Sequence, residues 1–141
     1  MALPTLLPGG SHQDKRGALS FFNTLDLGPI RRMYQIVPAH PTLIRAWQGH
    51  RREQKWFYCP QGGFVIHTVA LTAPQGASAQ RWELHADQPQ VLHVPGGNAT
   101  GIQATLPDAK LLVFSDMDTE QSQQDDVRFP VDHWEGHWKT F

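Results

Sequence analysis

The chain has little cysteine, little charge and no long apolar run. Cys59 is the only cysteine among 141 residues, so an intramolecular disulfide is impossible and the sequence is compatible with a reducing cytoplasm. The net charge is -1 with histidines neutral, without the basic stripe typical of a nucleic-acid binder. No apolar stretch approaches the roughly 20 residues that a membrane helix needs. We therefore expect a cytoplasmic protein that binds neither nucleic acid nor membrane.

Turn-forming residues are abundant. Twelve glycines and eleven prolines interrupt the chain at short intervals, which argues against a helical bundle. Short runs rich in β-branched and aromatic residues lie between them: Met33–Val37, Trp56–Cys59, Phe64–Leu71, Arg81–His85, Val91–Val94 and Leu111–Phe114. This pattern predicts an all-β sandwich or barrel with little helix. The only helices we expect are short, near Pro41–Leu43 and in Thr119–Asp125.

The length of 141 residues predicts a single domain with one core. Residues 1–13 are expected to form an arm or an edge strand, and residues 131–141 a surface tail. Trp134 and Trp138 recur at a four-residue spacing, which would suit one face of a short terminal helix. A packed tail or a dimer contact explains these indoles better than a site does.

The stretch from Arg45 to Tyr58 concentrates cationic, hydrogen-bonding and aromatic side chains within a few residues. A core strand would carry fewer polar groups and a solvated loop fewer rings, so the stretch predicts strands that line a small-molecule pocket. Arg45 would bind an anion such as phosphate through its bidentate fork, or else form a surface salt bridge. Trp47 and Trp56 could stack on a base or sugar ring, although an indole is more often part of a core.

Two other features have ordinary explanations. Cys59 lies among aromatic residues and is expected to be a buried thiol rather than a nucleophile. Asp125 and Asp126 follow a polar run, and a solvated face or a helix cap explains them better than a catalytic pair does.

A second motif, Pro95-Gly96-Gly97, marks a turn, with a strand expected to restart near Gly101. Together with Gln48-Gly49-His50 it resembles the two motifs of the cupins, which line one end of a jelly-roll barrel. At the cupin ligand positions Gln48 and Thr100 replace histidines, and His50 with Glu53 would be too few ligands for zinc or non-haem iron. We therefore expect no metal and no other cofactor, which disfavours a cupin oxygenase.

The order of motifs over residues 14–130 is similar to that of the sugar 3,4-ketoisomerases acting on dTDP-4-keto-6-deoxyglucose and, more distantly, the 3,5-epimerases of the same sugar. The motifs that carry this resemblance are Asp14-Lys-Arg-Gly17, Ile30-Arg-Arg-Met-Tyr34, Arg45 with His50, Gly62, Val94-Pro95, Leu111–Ser115 and Asp125–Arg128. It implies an all-β cupin jelly roll and a nucleotide-sugar substrate.

The resemblance also implies roles for individual residues. Arg45 and Arg16 would hold the diphosphate, with Trp47, Trp56 and Thr100 as further substrate-binding candidates. His50 would move the proton, because an imidazole titrates near working pH, or else it would merely hydrogen-bond a ligand or a neighbouring strand. Gln48 or Lys55 would polarise the ketone.

Two functions stay open from the sequence. The first is a cofactor-independent isomerase or epimerase of a nucleotide-linked 4-keto-6-deoxy sugar, which works by enediol-type proton transfer. The second is a non-catalytic cupin that binds a sugar or nucleotide sugar, because Gln48 stands where the family has its usual catalytic histidine. In either case we expect a homodimer, since small β-sandwiches have edge strands that need covering.

Overall fold

The computed structural model describes residues 3–139 as two packed antiparallel sheets and a separate hairpin. The strands are β1 (Thr5–Pro8), β2 (Gly10–Asp14), β3 (Gly17–Phe21), β4 (Arg32–Ile36), β5 (Ile44–His50), β6 (Lys55–Gln61), β7 (Gly63–Ala70), β8 (Gln80–His85), β9 (Gln90–Val94), β10 (Asn98–Ala104), β11 (Lys110–Ser115) and β12 (Asp126–Arg128). One short helix, α1 (Thr119–Gln123), precedes β12. The expected all-β fold with little helix is confirmed.

Ten of the strands form two five-stranded sheets. The first sheet has the order β1-β9-β6-β11-β4, and the second has the order β12-β5-β10-β7-β8. Consecutive strands repeatedly alternate between the sheets, as in a jelly roll. Strands β2 and β3 pair only with each other.

Glycine residues form the tight turns that connect several of the strands. Gly62, with φ of 73°, links β6 to β7, and Gly97, with φ of 88°, precedes β10. Both backbones lie in the left-handed region that glycine adopts without strain. The expected turns are confirmed, but β10 starts at Asn98 rather than near Gly101, which lies in the middle of that strand.

The main core fills the space between the sheets. It contains aromatic and aliphatic side chains from both inner faces, among them Phe57, Phe64, Ile66, Leu92 and Leu111. Cys59 belongs to this core and burial raises the pKa of its thiol to about 11, so the expected buried thiol is confirmed.

A second apolar cluster lies on the other face of the second sheet. Trp47, Val69 and Ala99 point to this face, and Trp134 covers them. Trp138 packs on Trp47 as well, with ring centroids 5.4 Å apart. The expected surface tail is thus an ordered cover in which the Trp134 indole is buried and the Trp138 indole is partly buried, and it contains no helix within the described residues.

The other local predictions have mixed outcomes. Residues 41–43 form a turn and not the expected helix, whereas the helix expected in Thr119–Asp125 is present as α1. The expected N-terminal arm is ordered as β1, at the edge of the first sheet, and as β2. Residues 1, 2, 140 and 141 of the predicted arm and tail lie outside the described residues.

Candidate active site

A cavity of about 660 Å³ is lined by strands of both sheets together with α1 and β12. Alternate residues of β4, β6 and β10 line it, because successive side chains of a strand point to opposite sides, whereas β5 contributes the consecutive residues 44–48. Arg32 and Tyr34 come from β4, Gln48 from β5, Lys55 from β6 and Thr100 from β10. The two strands expected to line a pocket therefore do so, but they belong to different sheets and do not pair with each other. Strands β4 and β10 complete the lining.

Three arginines line the cavity: Arg32, Arg45 and Arg128. Arg128 is held by Asp126, whose carboxylate accepts from its Nε at 3.1 Å. Arg45 is exposed and has no ion-pair partner among residues 3–139. Its guanidinium is therefore available to an anionic ligand.

The Lys55 ammonium is the central polar group of the cavity. Its side chain is 4 % exposed, and Nζ donates to the Tyr34 hydroxyl at 3.1 Å and to Gln48 Oε1 at 3.0 Å. Gln48 in turn donates to Asp126 Oδ1 at 3.3 Å. A fixed positive charge beside a hydroxyl and an amide can stabilise negative charge that develops on a bound oxygen.

Glu53 lies behind Lys55, and its side chain is fully buried. Its Oε2 is 3.5 Å from Arg32 Nη2, 3.8 Å from Lys55 Nζ and 3.8 Å from His50 Nε2. Glu53 and His50 are absent from the cavity lining. The cavity is therefore backed by a buried cluster of ionisable groups.

His50 is held in this cluster as a neutral ring. Burial lowers its pKa below the ordinary value, and the nearby Lys55 ammonium lowers it further, whereas Glu53 opposes the shift. Because Nδ1 lies 3.1 Å from the Asp125 carbonyl oxygen, Nδ1 carries the proton and Nε2 has the lone pair. That Nε2 atom is buried and has no hydrogen-bond partner among the described residues.

Asp125 ties the β5–β6 connection to the segment before β12. Its carboxylate accepts from the backbone N–H groups of Arg51, Arg52 and Glu53 at 3.1, 2.9 and 2.7 Å. Burial alone would raise the pKa of Asp125, but these three donors outweigh burial and lower it. Asp125 is therefore a buried cap, and the solvated face expected for it is wrong. Asp126 lines the cavity instead.

The structure brings only some of the predicted site residues together. Arg45, Gln48, Lys55 and Thr100 share the cavity with Trp47. The Trp47 indole is 1 % exposed, donates to the Val131 carbonyl at 3.0 Å and makes the contacts of a core indole.

The other two substrate-binding candidates lie elsewhere. Trp56 stacks on His93, with ring centroids 4.8 Å apart, and does not line the cavity. Arg16 lies in the exposed β2–β3 hairpin, where Nη2 pairs with Asp14 at 2.7 Å.

Sequence reasoning gave no role to Arg32, Tyr34 or Arg128. Arg32 and Tyr34 have the two-residue spacing that puts side chains on the same face of a strand, and this signal could have marked them. Nothing in the sequence indicated that β4 would lie opposite Gln48.

The described part of the chain contains neither a metal-binding cluster nor a membrane-spanning helix. No three His, Cys, Asp or Glu side chains of residues 3–139 are grouped closely enough to hold a metal ion. Over the same residues, no helix has the length and hydropathy to span a bilayer. The absence of a metal and of any cofactor stays a prediction.

No family model and no curated protein matches the sequence, but solved structures match the fold. QdtA, a 3,4-ketoisomerase from Thermoanaerobacterium thermosaccharolyticum solved with TDP, has a TM-score of 0.72 and 18 % identity over 92 % of this chain and 89 % of its own. ChmJ, a 3'-monoepimerase from Streptomyces bikiniensis solved with dTDP-quinovose, has a TM-score of 0.77 and 12 % identity over 91 % and 70 %.

The RmlC epimerase of Mycobacterium tuberculosis is similar as well, with a TM-score of 0.75 and 15 % identity over 91 % of this chain and 69 % of its own. This chain has the same all-β jelly-roll fold as these proteins. At such low identities the likeness shows the fold alone, so a function must be argued from the cavity.

Proposed function

We propose that this chain is a cofactor-independent isomerase or epimerase of a nucleotide-linked 4-keto-6-deoxy sugar. The observation that carries this proposal is the Lys55 ammonium in the cavity, which donates to Tyr34 and Gln48 at once. It puts a group that can take or give a proton next to a fixed positive charge. Structures of the same fold are 3,4-ketoisomerases and epimerases, which is consistent with this chemistry.

The arginines of the cavity suit the anionic part of such a ligand. A guanidinium binds phosphate through two parallel N–H groups. Arg45 is free to do so, whereas Arg128 is already partly neutralised by Asp126. We assign the diphosphate to Arg45, with Arg128 as a second contact, and the sugar to the space beside Lys55. Arg16 lies in the β2–β3 hairpin, outside this cavity, and would contact the diphosphate only if the hairpin approached the cavity. Its role therefore stays a prediction.

The reaction begins with the loss of the proton on C3. Lys55 donates a hydrogen bond to the C4 ketone oxygen, which acidifies the C3–H bond. A base takes the C3 proton and the electron pair forms an enediolate, whose negative oxygen Lys55 and Gln48 stabilise. Return of the proton to C4, with transfer of the hydroxyl proton from O3 to O4, moves the ketone to C3, whereas its return to the other face of C3 gives the epimer.

Tyr34 is the proton-transfer group that the geometry favours. Its hydroxyl accepts from Lys55, and the ammonium stabilises the phenolate that must form, by loss of the hydroxyl proton to solvent, before Tyr34 can take the C3 proton. His50 was the base expected from the sequence. It lies behind the cavity lining, so a direct role for His50 would require its ring to move.

A binding protein without catalysis is the second candidate. It is favoured by Gln48, which Lys55 and Asp126 hold on either side at the position where the ketoisomerases have a histidine. A carboxamide can bind a ketone, but it does not titrate in the useful range.

Proton exchange separates the two candidates. The protein would be incubated in deuterium oxide with dTDP-4-keto-6-deoxyglucose and with its UDP and GDP counterparts, and the C3 proton signal followed by NMR. We expect wash-out that falls about a hundredfold or more in Tyr34→Phe and is unchanged in Tyr58→Phe. Tyr58 is a matched control, because it packs on Phe22 and does not line the cavity.

Other outcomes count against the proposal. If the wild-type protein bound one of these ligands without exchanging the C3 proton, the result would support the non-catalytic binding function and contradict the proposed enzyme. Exchange that survives in Tyr34→Phe but is lost in His50→Asn would return the proton transfer to His50. Neither binding nor exchange with any of these ligands would refute both candidates.

A further inference from the structure

Glu53 has an unusual environment for a carboxylate. It lies in the connection between β5 and β6, is 2 % exposed and does not line the cavity. Its Oε1 is buried and has no hydrogen-bond partner within residues 3–139. Burying an unpaired carboxylate oxygen costs stability, so its presence calls for a physical reason.

The other carboxylate oxygen provides that reason. Three basic side chains converge on Glu53 Oε2, at 3.5 Å from Arg32, 3.8 Å from Lys55 and 3.8 Å from His50. Because His50 is neutral, the two cations that Glu53 faces are Arg32 and Lys55. Both line the cavity, so one buried carboxylate lies directly behind two cavity cations.

These contacts also connect the two sheets. Arg32 is on β4 and Lys55 on β6, both in the first sheet, whereas His50 ends β5 of the second. The backbone N–H of Glu53 is fixed by Asp125. The backbone of Glu53 is thus fixed in place, whereas the two cations that face its carboxylate, Arg32 and Lys55, are at the ends of long and flexible side chains.

We propose that Glu53 is a positioning residue, which anchors Arg32 and Lys55 from behind so that their charged ends stay directed at the cavity. Arg32 Nη2 donates a long hydrogen bond to Glu53 Oε2 at 3.5 Å, whereas Lys55 Nζ forms an ion pair with the same oxygen at 3.8 Å. Ser122 accepts a further hydrogen bond from Arg32 Nη2, and Tyr34 and Gln48 accept from Lys55 Nζ. Arg32 Nε is buried and has no hydrogen-bond partner among the described residues. The catalytic consequence of this inference rests on the proposed function, whereas the anchoring itself does not.

The anchoring is tested without any ligand, by the rate at which acetic anhydride labels Lys55, measured by mass spectrometry. Lys15 lies in the exposed hairpin and is the internal reference. Cys59, which is buried in the core, reports through iodoacetamide whether the fold has opened. We expect Glu53→Gln to raise the labelling of Lys55 relative to Lys15 by about tenfold, with Cys59 still protected.

Two further variants complete the comparison. Glu53→Asp keeps the charge and should label at a rate between those of wild type and Glu53→Gln. Glu83→Gln removes a carboxylate from the exposed pair with Arg81 and should label like wild type. If Cys59 becomes reactive in Glu53→Gln, the proposal is decided instead by the labelling rates of Lys55 and Cys59 in Glu53→Asp. Equal labelling of Lys55 in wild type and in the variant with a protected Cys59 would overturn the proposal.

The exchange assay then tests the catalytic consequence. We expect Glu53→Gln to slow C3 proton exchange by about tenfold or more, because a small displacement of a catalytic group is costly. The affinity for dTDP itself should stay within about threefold of the wild-type value, since Arg45 holds the diphosphate. If the wild-type protein exchanges nothing, the proposed function fails while the labelling result still decides the role of Glu53. Exchange by Glu53→Gln at the wild-type rate would overturn the positioning role in catalysis.

Discussion

His67 should make the stability of this protein depend on pH between 7.5 and 5. The ring lies on β7, fully buried, under Trp138 at a centroid distance of 4.5 Å. Neither ring nitrogen has a hydrogen-bond partner among the described residues. Burial lowers the pKa of His67 to about 4, and the charges of Arg81 and His137 contribute to this shift.

The sign follows from the difference between folded and unfolded states. An unfolded histidine has a pKa of about 6.5, so the unfolded chain takes up the proton first as pH falls. The stability contributed by the neutral His67 ring is therefore complete above pH 6.5 and is lost progressively towards pH 4. Between pH 7.5 and pH 5 the linkage relation gives a loss of about 2 kcal/mol from this residue.

Urea unfolding followed by tryptophan fluorescence measures this loss. His67→Phe keeps a ring under Trp138 but cannot titrate, so it should lose about 2 kcal/mol less than wild type over the same pH interval. His50 and His93 also have lowered pKa values, but they contribute equally to both proteins and cancel in the difference. His12→Gln changes an exposed histidine and should behave like wild type. The reasoning would be refuted if His67→Phe and wild type lost the same stability.

Three further predictions concern binding, metal content and assembly. Arg45→Ala should weaken dTDP binding by about tenfold to a hundredfold, because it removes a charge-assisted contact of about 1.5–3 kcal/mol; titration calorimetry measures this, and an unchanged affinity would contradict it. Protein purified without a metal-affinity tag should contain less than stoichiometric zinc, iron or manganese by elemental analysis, because Gln48 and Thr100 replace histidine ligands, and one metal per chain would show the opposite. Light scattering should give about twice the chain mass of 15.9 kDa, because Met33 in edge strand β4 and Val37 directly after it are exposed and edges of this kind need covering; a monomer mass at micromolar concentration would be inconsistent with a dimer.

The sequence predicted the strands best where turns are local. Glycine and proline signals act over a few residues, so runs such as Phe64–Leu71 and Val91–Val94 were placed within about a residue of β7 and β9. The tail was harder, because its conformation depends on long-range packing. Trp134 and Trp138 have a helical spacing, yet both indoles are held by Trp47 on the neighbouring sheet.

The candidate site shows the same contrast between residues that are close in sequence, which were predicted, and residues brought together by long-range pairing, which were not. Arg45, Gln48 and Lys55 lie in one contiguous stretch of sequence, and the structure puts them in one cavity. Tyr34 joins them only because β4 pairs with β11, which pairs with β6. The His50 ring is held by a hydrogen bond to the carbonyl group of Asp125, which lies 75 residues further along the chain. No local sequence pattern indicates such a contact.

A crystal structure of the protein with a nucleotide-linked 4-keto-6-deoxy sugar would test the central claim most directly. We predict the diphosphate within hydrogen-bond distance of the Arg45 guanidinium, and the C4 ketone oxygen of the sugar next to Lys55 Nζ and the Tyr34 hydroxyl. A nucleotide bound with its base at Lys55, or bound outside this cavity, would contradict the proposed function.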